Sequence, residues 1–361
     1  MSDCGGRLKG LFFCARLKEK RGKTNMSDKR ELVFDAFDNK KTRRVPVGFW
    51  FHFAPDDLFN EKPDVIRRNV EGHFQFYDTF KPDFVKLMSD GYFRYPNPTL
   101  AKVEKAEDLL KAKSGLVDQW IDGQTALVKE LTDHFGEEVP TFYNIFAPAT
   151  VLGFVLEESR SGLTLAKLIK DDPDTLAYVL NVIKQDLARL AFRVITEGKA
   201  DGIYLSTKNI QDKAVSKAEY HKYITPSEQG VLNVANAVSD YNILHICGYE
   251  GARNDLSVYQ NYDVKVINWA AVVEQVPLKE GKKLFGGRAV IGGFDNTKNG
   301  VLYRGSKEEV ESETRRLLEE AGTTGVILGA DCTIPSDTPL ERLEWVRGAA
   351  EQYGKNKTGK E

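Results

Sequence analysis

The 361-residue sequence predicts a single-domain α/β protein, a (β/α)8 TIM barrel, and three observations carry that reading. Eight short apolar runs, rich in β-branched and aromatic residues, recur along the chain and look like buried parallel strands. Segments of helical period separate them. The Gly-x-Gly-x-x-Gly loop that opens many doubly wound sheets is missing after the first run.

The runs, in order, are Val45–Phe51, Phe84–Met88, Thr141–Phe146, Gly202–Leu205, Asn242–Ile246, Val264–Trp269, Ala289–Gly292 and Gly325–Leu328. Most end at Gly, Asp, Asn or Ser, residues that favour turns. Among the intervening helices, Pro173–Thr196 repeats apolar residues at helical spacing. Pro226–Ser239 does the same over a shorter stretch. Ser306–Ala321 opens with Ser306 and Glu309 at capping-box spacing and is followed by Gly322. The stretch between Met88 and Gln119 has no run of its own and predicts extra loop structure over the barrel mouth.

Composition narrows the function classes. The chain is 41% hydrophobic and 29% charged, which excludes a disordered chain. Its 51 basic and 53 acidic residues nearly balance, so no nucleic-acid surface is expected. No apolar run reaches the roughly 18 residues of a membrane span. The first 25 residues differ, with seven Lys/Arg against two acids, and read as an N-terminal extension. The domain then covers 26–352, with a tail at 353–361. Four cysteines, two of them in the extension (Cys4 and Cys14), are too few for a disulfide framework and suit a reducing, cytoplasmic location.

Chemistry in such a barrel gathers at the C-terminal ends of the strands. There stand His52, Asp90, Ser206, His245 and Cys247, Asn268, Asp295, and Cys332. His245 and Cys247 are two apart, so a strand points both the same way. Closure of a barrel would bring Cys332, at the end of the last run, opposite them. One imidazole and two thiolates form a three-ligand set of the kind that leaves a catalytic zinc one open position. Soft sulfur selects zinc over magnesium or calcium. Asp90 is the candidate general base or substrate-orienting carboxylate. His52, Ser206, Asp295 and Asn268 are candidate substrate-binding residues.

Taken together, His245–Arg253, Val264–Trp269, Arg288–Asn296 (RAVIGGFDN) and Gly325–Pro339 (GVILGADCTIPSDTP) resemble the uroporphyrinogen decarboxylase superfamily. The likeness spans roughly residues 30–352, and its H-x-C-G, G-G-x-D and L-G…P…T-P elements are specific as a set. The resemblance implies two activities. True uroporphyrinogen decarboxylases carry an arginine-rich segment after the first strand, an Asp that binds pyrrole N–H groups, and a His in the last strand-end loop. Asp90 matches that Asp. However, Phe51-His52-Phe53-Ala54-Pro55 stands where the arginines belong, and Ala330-Asp331-Cys332 has no His. Gripping several carboxylates needs fixed cations, and Arg is the side chain that binds them bidentately.

The second branch contains methylcobalamin-dependent methyltransferases. His245, Cys247 and Cys332 match its H-x-C…C zinc site. On this resemblance the chain moves a methyl group from a methyl-corrinoid to a zinc-activated thiol or similar acceptor. The alternatives are uroporphyrinogen decarboxylation in porphyrin biosynthesis, or a non-catalytic tetrapyrrole-binding relative. Asn268 stands where a glutamate would offer a fourth ligand, so none is assigned. Asp133-His134-Phe135-Gly136 lacks the spacing of a D-x-H-x-x-G corrinoid motif. Cobalamin is therefore expected only on a partner corrinoid protein or as substrate. A small thiol or a tetrapyrrole is the expected ligand, a homodimer is admitted, and neither nucleic acid nor membrane is expected.

Overall fold

The computed structural model describes residues 27–358, apart from Gln211, Tyr249, Glu250 and Ala252. The extension assigned to residues 1–25 lies outside the described residues. Seven parallel strands form one sheet in sequential order. They are β1 (Val85–Leu87), β2 (Thr141–Phe146), β3 (Gly202–Thr207), β4 (Ile243–Ile246), β5 (Val266–Trp269), β6 (Ala289–Phe294) and β7 (Val326–Ala330). Each coincides with one of the apolar runs from the second to the eighth.

The sheet is strongly curled. Flat, it would hold the ends of β4 and β7 about 14 Å apart, three strand spacings. Instead His245 Nε2 on β4 lies 3.5 Å from Sγ of Cys332, two residues past β7.

The first run departs from expectation. Val45–Phe51 forms no strand, only a single parallel bridge from Val47 to Leu328. On its β7 side Gly48 N–H donates to Leu328 O and Leu328 N–H donates to Pro46 O, both at 2.9 Å. On its β1 side one backbone bond remains, Asp83 N–H to Val47 O at 3.3 Å, and a side chain takes the other place: Val47 N–H donates to Oδ2 of Asp83 at 2.7 Å, and Arg44 holds that carboxylate from two nitrogens. Pro46 has no N–H to offer a neighbour. A Cβ on Gly48 would lie 2.0 Å from the Phe84 ring, so this position requires glycine for close approach.

Two apolar clusters lie on either side of the sheet. The outer one fills the space under the helices and includes Val47, Phe49, Leu87, Ile145, Leu205, Leu244 and Leu328. The inner one holds Trp50, Phe84, Phe142, Tyr204, Ile243, Val266, Ile291 and Ile327. Alternate residues of each strand supply the two, as period-two geometry requires. Helix Asp28–Phe37 contributes Val33, Phe34 and Phe37 to the inner cluster, against the N-terminal ends of the strands. Ser27 caps it, and Arg30 pairs with the buried carboxylate of Asp201.

The helices largely follow the sequence pattern. Pro173–Thr196 begins on Asp172, whose carboxylate accepts from Thr175 N–H. Lys307–Ala321 has the capping box of Ser306 and Glu309. The stretch after Met88 holds two short 3-10 turns, Pro98–Leu100 and Ala106–Lys111. Tyr95 hydroxyl anchors it by donating to buried Asp186 at 2.7 Å. The last helix, Leu340–Thr358, runs on through residues read as the start of a C-terminal tail. No helix among the described residues is long and apolar enough to cross a membrane.

Candidate metal centre

β4 carries His245 toward the inside of the sheet, beside Ser206 of β3 and Asn268 of β5. Asn268 is fully buried. Its Nδ2 donates to Ile291 O at 2.9 Å, which fixes the amide's orientation. Its Oδ1 must then accept, and it faces Nδ1 of His245. That network assigns the proton to Nδ1 and leaves Nε2 as a lone pair. The lone pair faces Cys332 Sγ at 3.5 Å. Fixing a ligand histidine's tautomer through its second nitrogen is the usual outer support of a metal site. Asn268 was expected to bind substrate. Both ends of its amide meet protein groups, and it orients His245.

Cys247 follows β4 and is set by its backbone. Its N–H donates to Thr207 O at 2.7 Å, and its carbonyl accepts from Asn254 Nδ2 at 2.9 Å. Glu274 holds Asn254 in turn. Cys332 follows Asp331, whose Oδ2 accepts from Val272 N–H at 2.7 Å. Burial pushes the Asp331 carboxyl up to about 8, and its Oδ1 has no partner. The Cys332 thiol is held well below its ordinary range by a hydrogen bond with Cys247, then by His245 and by Lys86, against the opposing effect of burial. Gly292, at φ 143°, and Gly293, at φ 111°, kink β6 where Asn268 reaches Ile291 O.

The donor set fits zinc. His245, Cys247 and Cys332 place one ligand atom each within 4.8 Å of one another. A tetrahedral ion with Zn–S near 2.3 Å and Zn–N near 2.1 Å separates N from S by about 3.6 Å. The 3.5 Å between Nε2 and Sγ matches that edge.

Asp90, His52 and Ser206 occupy the β1–β3 side, and Asp295 follows β6. Asp90, expected to act on substrate, is fully buried, and each of its oxygens has a protein partner. Oδ2 accepts from Phe53 N–H at 2.7 Å and Ala54 N–H at 3.0 Å, and Oδ1 pairs with His52 Nδ1 at 2.8 Å. It therefore positions the partly exposed His52, which leans on Phe93. Ser206 donates to Asn144 Oδ1 at 2.7 Å, and Asn144 donates to Ser89 at 3.1 Å. Asp295 accepts from Thr297 N–H at 2.8 Å within its own turn.

Sequence reasoning missed Lys86. It is 4% exposed, in the middle of β1, on the inner face with Phe84 and Met88. Its Nζ lies 4.2 Å from the Tyr204 ring centroid and 4.9 Å from that of Trp50. Burial pulls it down to about 8, while Cys332, Cys247 and Asp90 oppose that fall. A lysine inside a run otherwise read as buried strand was the available signal.

The uroporphyrinogen decarboxylase family model matches residues 70–353. The chain belongs to this family. A uroporphyrinogen decarboxylase from Hordeum vulgare is 21% identical over 308 residues, 79% of this chain and 88% of that one. Among solved structures, a methyltransferase from Methanosarcina mazei superposes with a TM-score of 0.67 at 16% identity, covering 91% of this chain and 99% of the other. A B12-independent methionine synthase from Shewanella sp. W3-18-1 gives 0.54 at 14% identity, covering 88% and 99%. At these identities the structures share a fold with this family member.

Proposed function

We propose that this chain is a zinc-dependent methyltransferase of the uroporphyrinogen decarboxylase family. It moves a methyl group from a methyl-corrinoid, carried by a separate protein, to a thiol acceptor. The architecture is a (β/α)8 barrel in which Val45–Phe51 stands at the eighth position. A cytoplasmic, reducing location goes with this reading, since it keeps both thiols available.

The single observation that carries the reading is the convergence of His245 Nε2, Cys247 Sγ and Cys332 Sγ, with the imidazole tautomer set by Asn268. These three residues would hold zinc, whose chemistry there is to keep an acceptor thiol deprotonated at neutral pH. The protein's own part is to orient. Asn268 fixes the imidazole, the backbone contacts at Thr207 and Asn254 fix Cys247, and Val272 fixes the approach to Cys332. The solved methyltransferase and methionine synthase supply a matching fold and their activities by name.

Metal analysis of purified, reduced protein tests this together with methyl transfer from methylcobalamin to 2-mercaptoethanol. The expected result is about one zinc per chain and a transfer that disappears in Cys332→Ser. Folded, reduced protein that takes up no added zinc overturns the reading.

A further inference from the structure

Lys86 has no role in the ligand set, and its placement is costly. Transferring an ammonium from water into an apolar interior is unfavourable unless something compensates it. Here the surroundings are the rings of Trp50 and Tyr204, at 4.9 and 4.2 Å. Ring faces attract a cation but neutralise none of its charge. Among the described residues no carboxylate forms an ion pair with Lys86, and Asp90, the acid that feels its charge, is spent on His52 and two backbone N–H groups. The other groups that favour its charge are the two cysteines of the centre. The same two rings also flank His245, with centroids 6.5 Å from Trp50 and 6.0 Å from Tyr204. The lysine and the ligand imidazole thus share one aromatic wall.

We propose that Lys86 supplies the positive charge that makes the centre select an anionic, thiolate-class acceptor over a neutral one. This inference rests on the zinc reading above. The charge count explains it. Zinc with two thiolates and a neutral imidazole carries no net charge, and Lys86 makes the group positive. A thiol that enters as thiolate, losing its proton to solvent, brings the group back to neutrality. Without Lys86 the same event would leave a net negative charge in a poorly solvated space. A neutral acceptor such as an amine or imidazole gains nothing from the lysine. Lys86 acts on the acceptor through charge and is a specificity-determining residue.

The test uses the full chain loaded with cobalt(II). The probes are 2-mercaptoethanol, read by sulfur-to-cobalt charge-transfer absorbance, and imidazole, read by the cobalt ligand-field bands. Lys86→Met removes the charge with little change of shape. It should bind cobalt as the wild type does and imidazole within about twofold, but 2-mercaptoethanol at least about tenfold more weakly at pH 7. Lys86→Arg should recover most of the thiol affinity. Lys86→Gln removes the same charge and takes the place of Lys86→Met if the latter fails to fold. Unchanged thiol affinity in the charge-free variant overturns the inference, and so does equal weakening of both probes. Loss of cobalt from a folded charge-free variant also overturns it, because the lysine would then serve metal loading. Failure of the wild type to bind cobalt overturns the zinc reading, and this inference with it.

Discussion

At the ends of β4 and β7, three donor atoms face one another within 4.8 Å. At the ends of β1 to β3, the polar side chains face one another as complementary pairs: Asp90 with His52 and two N–H groups, Ser206 with Asn144, Asn144 with Ser89. The named side chains of the second side satisfy one another. The first brings together a lone pair and two sulfurs, a set that one shared cation could hold. The two sides of one rim thus separate into a structural polar network and a ligand-ready cluster, although both come from the same kind of strand-end residue. Strand-end position alone is therefore a weak guide to function, and the partner of each polar atom decides.

The largest expected effect breaks the ligand side outright. Cys247→Ser or Cys332→Ser should remove bound zinc nearly completely, measured as metal per chain after dialysis. The folded core should persist, since both cysteines lie on the rim while the apolar clusters extend beneath. A Cys332→Ser protein that keeps its zinc would show that the cluster is a structural pair.

A second test falls where the two sides meet. Buried Glu228 accepts from Thr207, at the end of β3, and is surrounded by the hydroxyls of Tyr220 and Tyr262, with Tyr259 beside them. Burial raises its pKa from 4.5 to about 7. A folded-state pKa above the unfolded value means the stabilising contribution is full below about 4.5. It is lost as pH rises to about 7 and beyond. Glu228→Gln should abolish that loss, an effect on the order of 3 kcal/mol between pH 4.5 and 8. Urea unfolding at several pH values measures it, and parallel pH profiles for the two proteins would refute it.

Asn268→Ala should weaken metal affinity by about 10- to 100-fold through the loss of imidazole orientation, measured by competition with a chelator. Unchanged affinity would remove Asn268 from the centre. The smallest effect on metal belongs to Asp90→Asn. It should lower stability by about 1–3 kcal/mol, because two buried N–H groups lose a charged acceptor, and leave zinc content unchanged. Loss of zinc in that variant would show that the two sides of the rim act as one.

Much of this protein is legible in its sequence, for local reasons. β2 falls on the apolar run Thr141–Phe146 and the long helix on Pro173–Thr196, because periodicity and caps are properties of neighbouring residues. His245 and Cys247 share a side of the chain by period two alone. Where reading stopped, distant groups were in control. Val45–Phe51 has a strand's composition, yet on one side the Asp83 carboxylate, held by Arg44, takes the Val47 N–H that a ladder would use. Asn268 was identified as a site residue, but only the neighbouring Ile291 carbonyl sets its amide and makes it a support for histidine. Lys86 is a charged residue in an apolar run, and only the parity of β1 and the curl of the sheet set it inward against the Trp50 and Tyr204 rings. By itself the sequence determined the order of elements and singled out the three residues that could hold a metal ion. The curl of the sheet decided which side chains meet, because contacts between residues 87 positions apart depend on closure in space and leave no trace in local spacing.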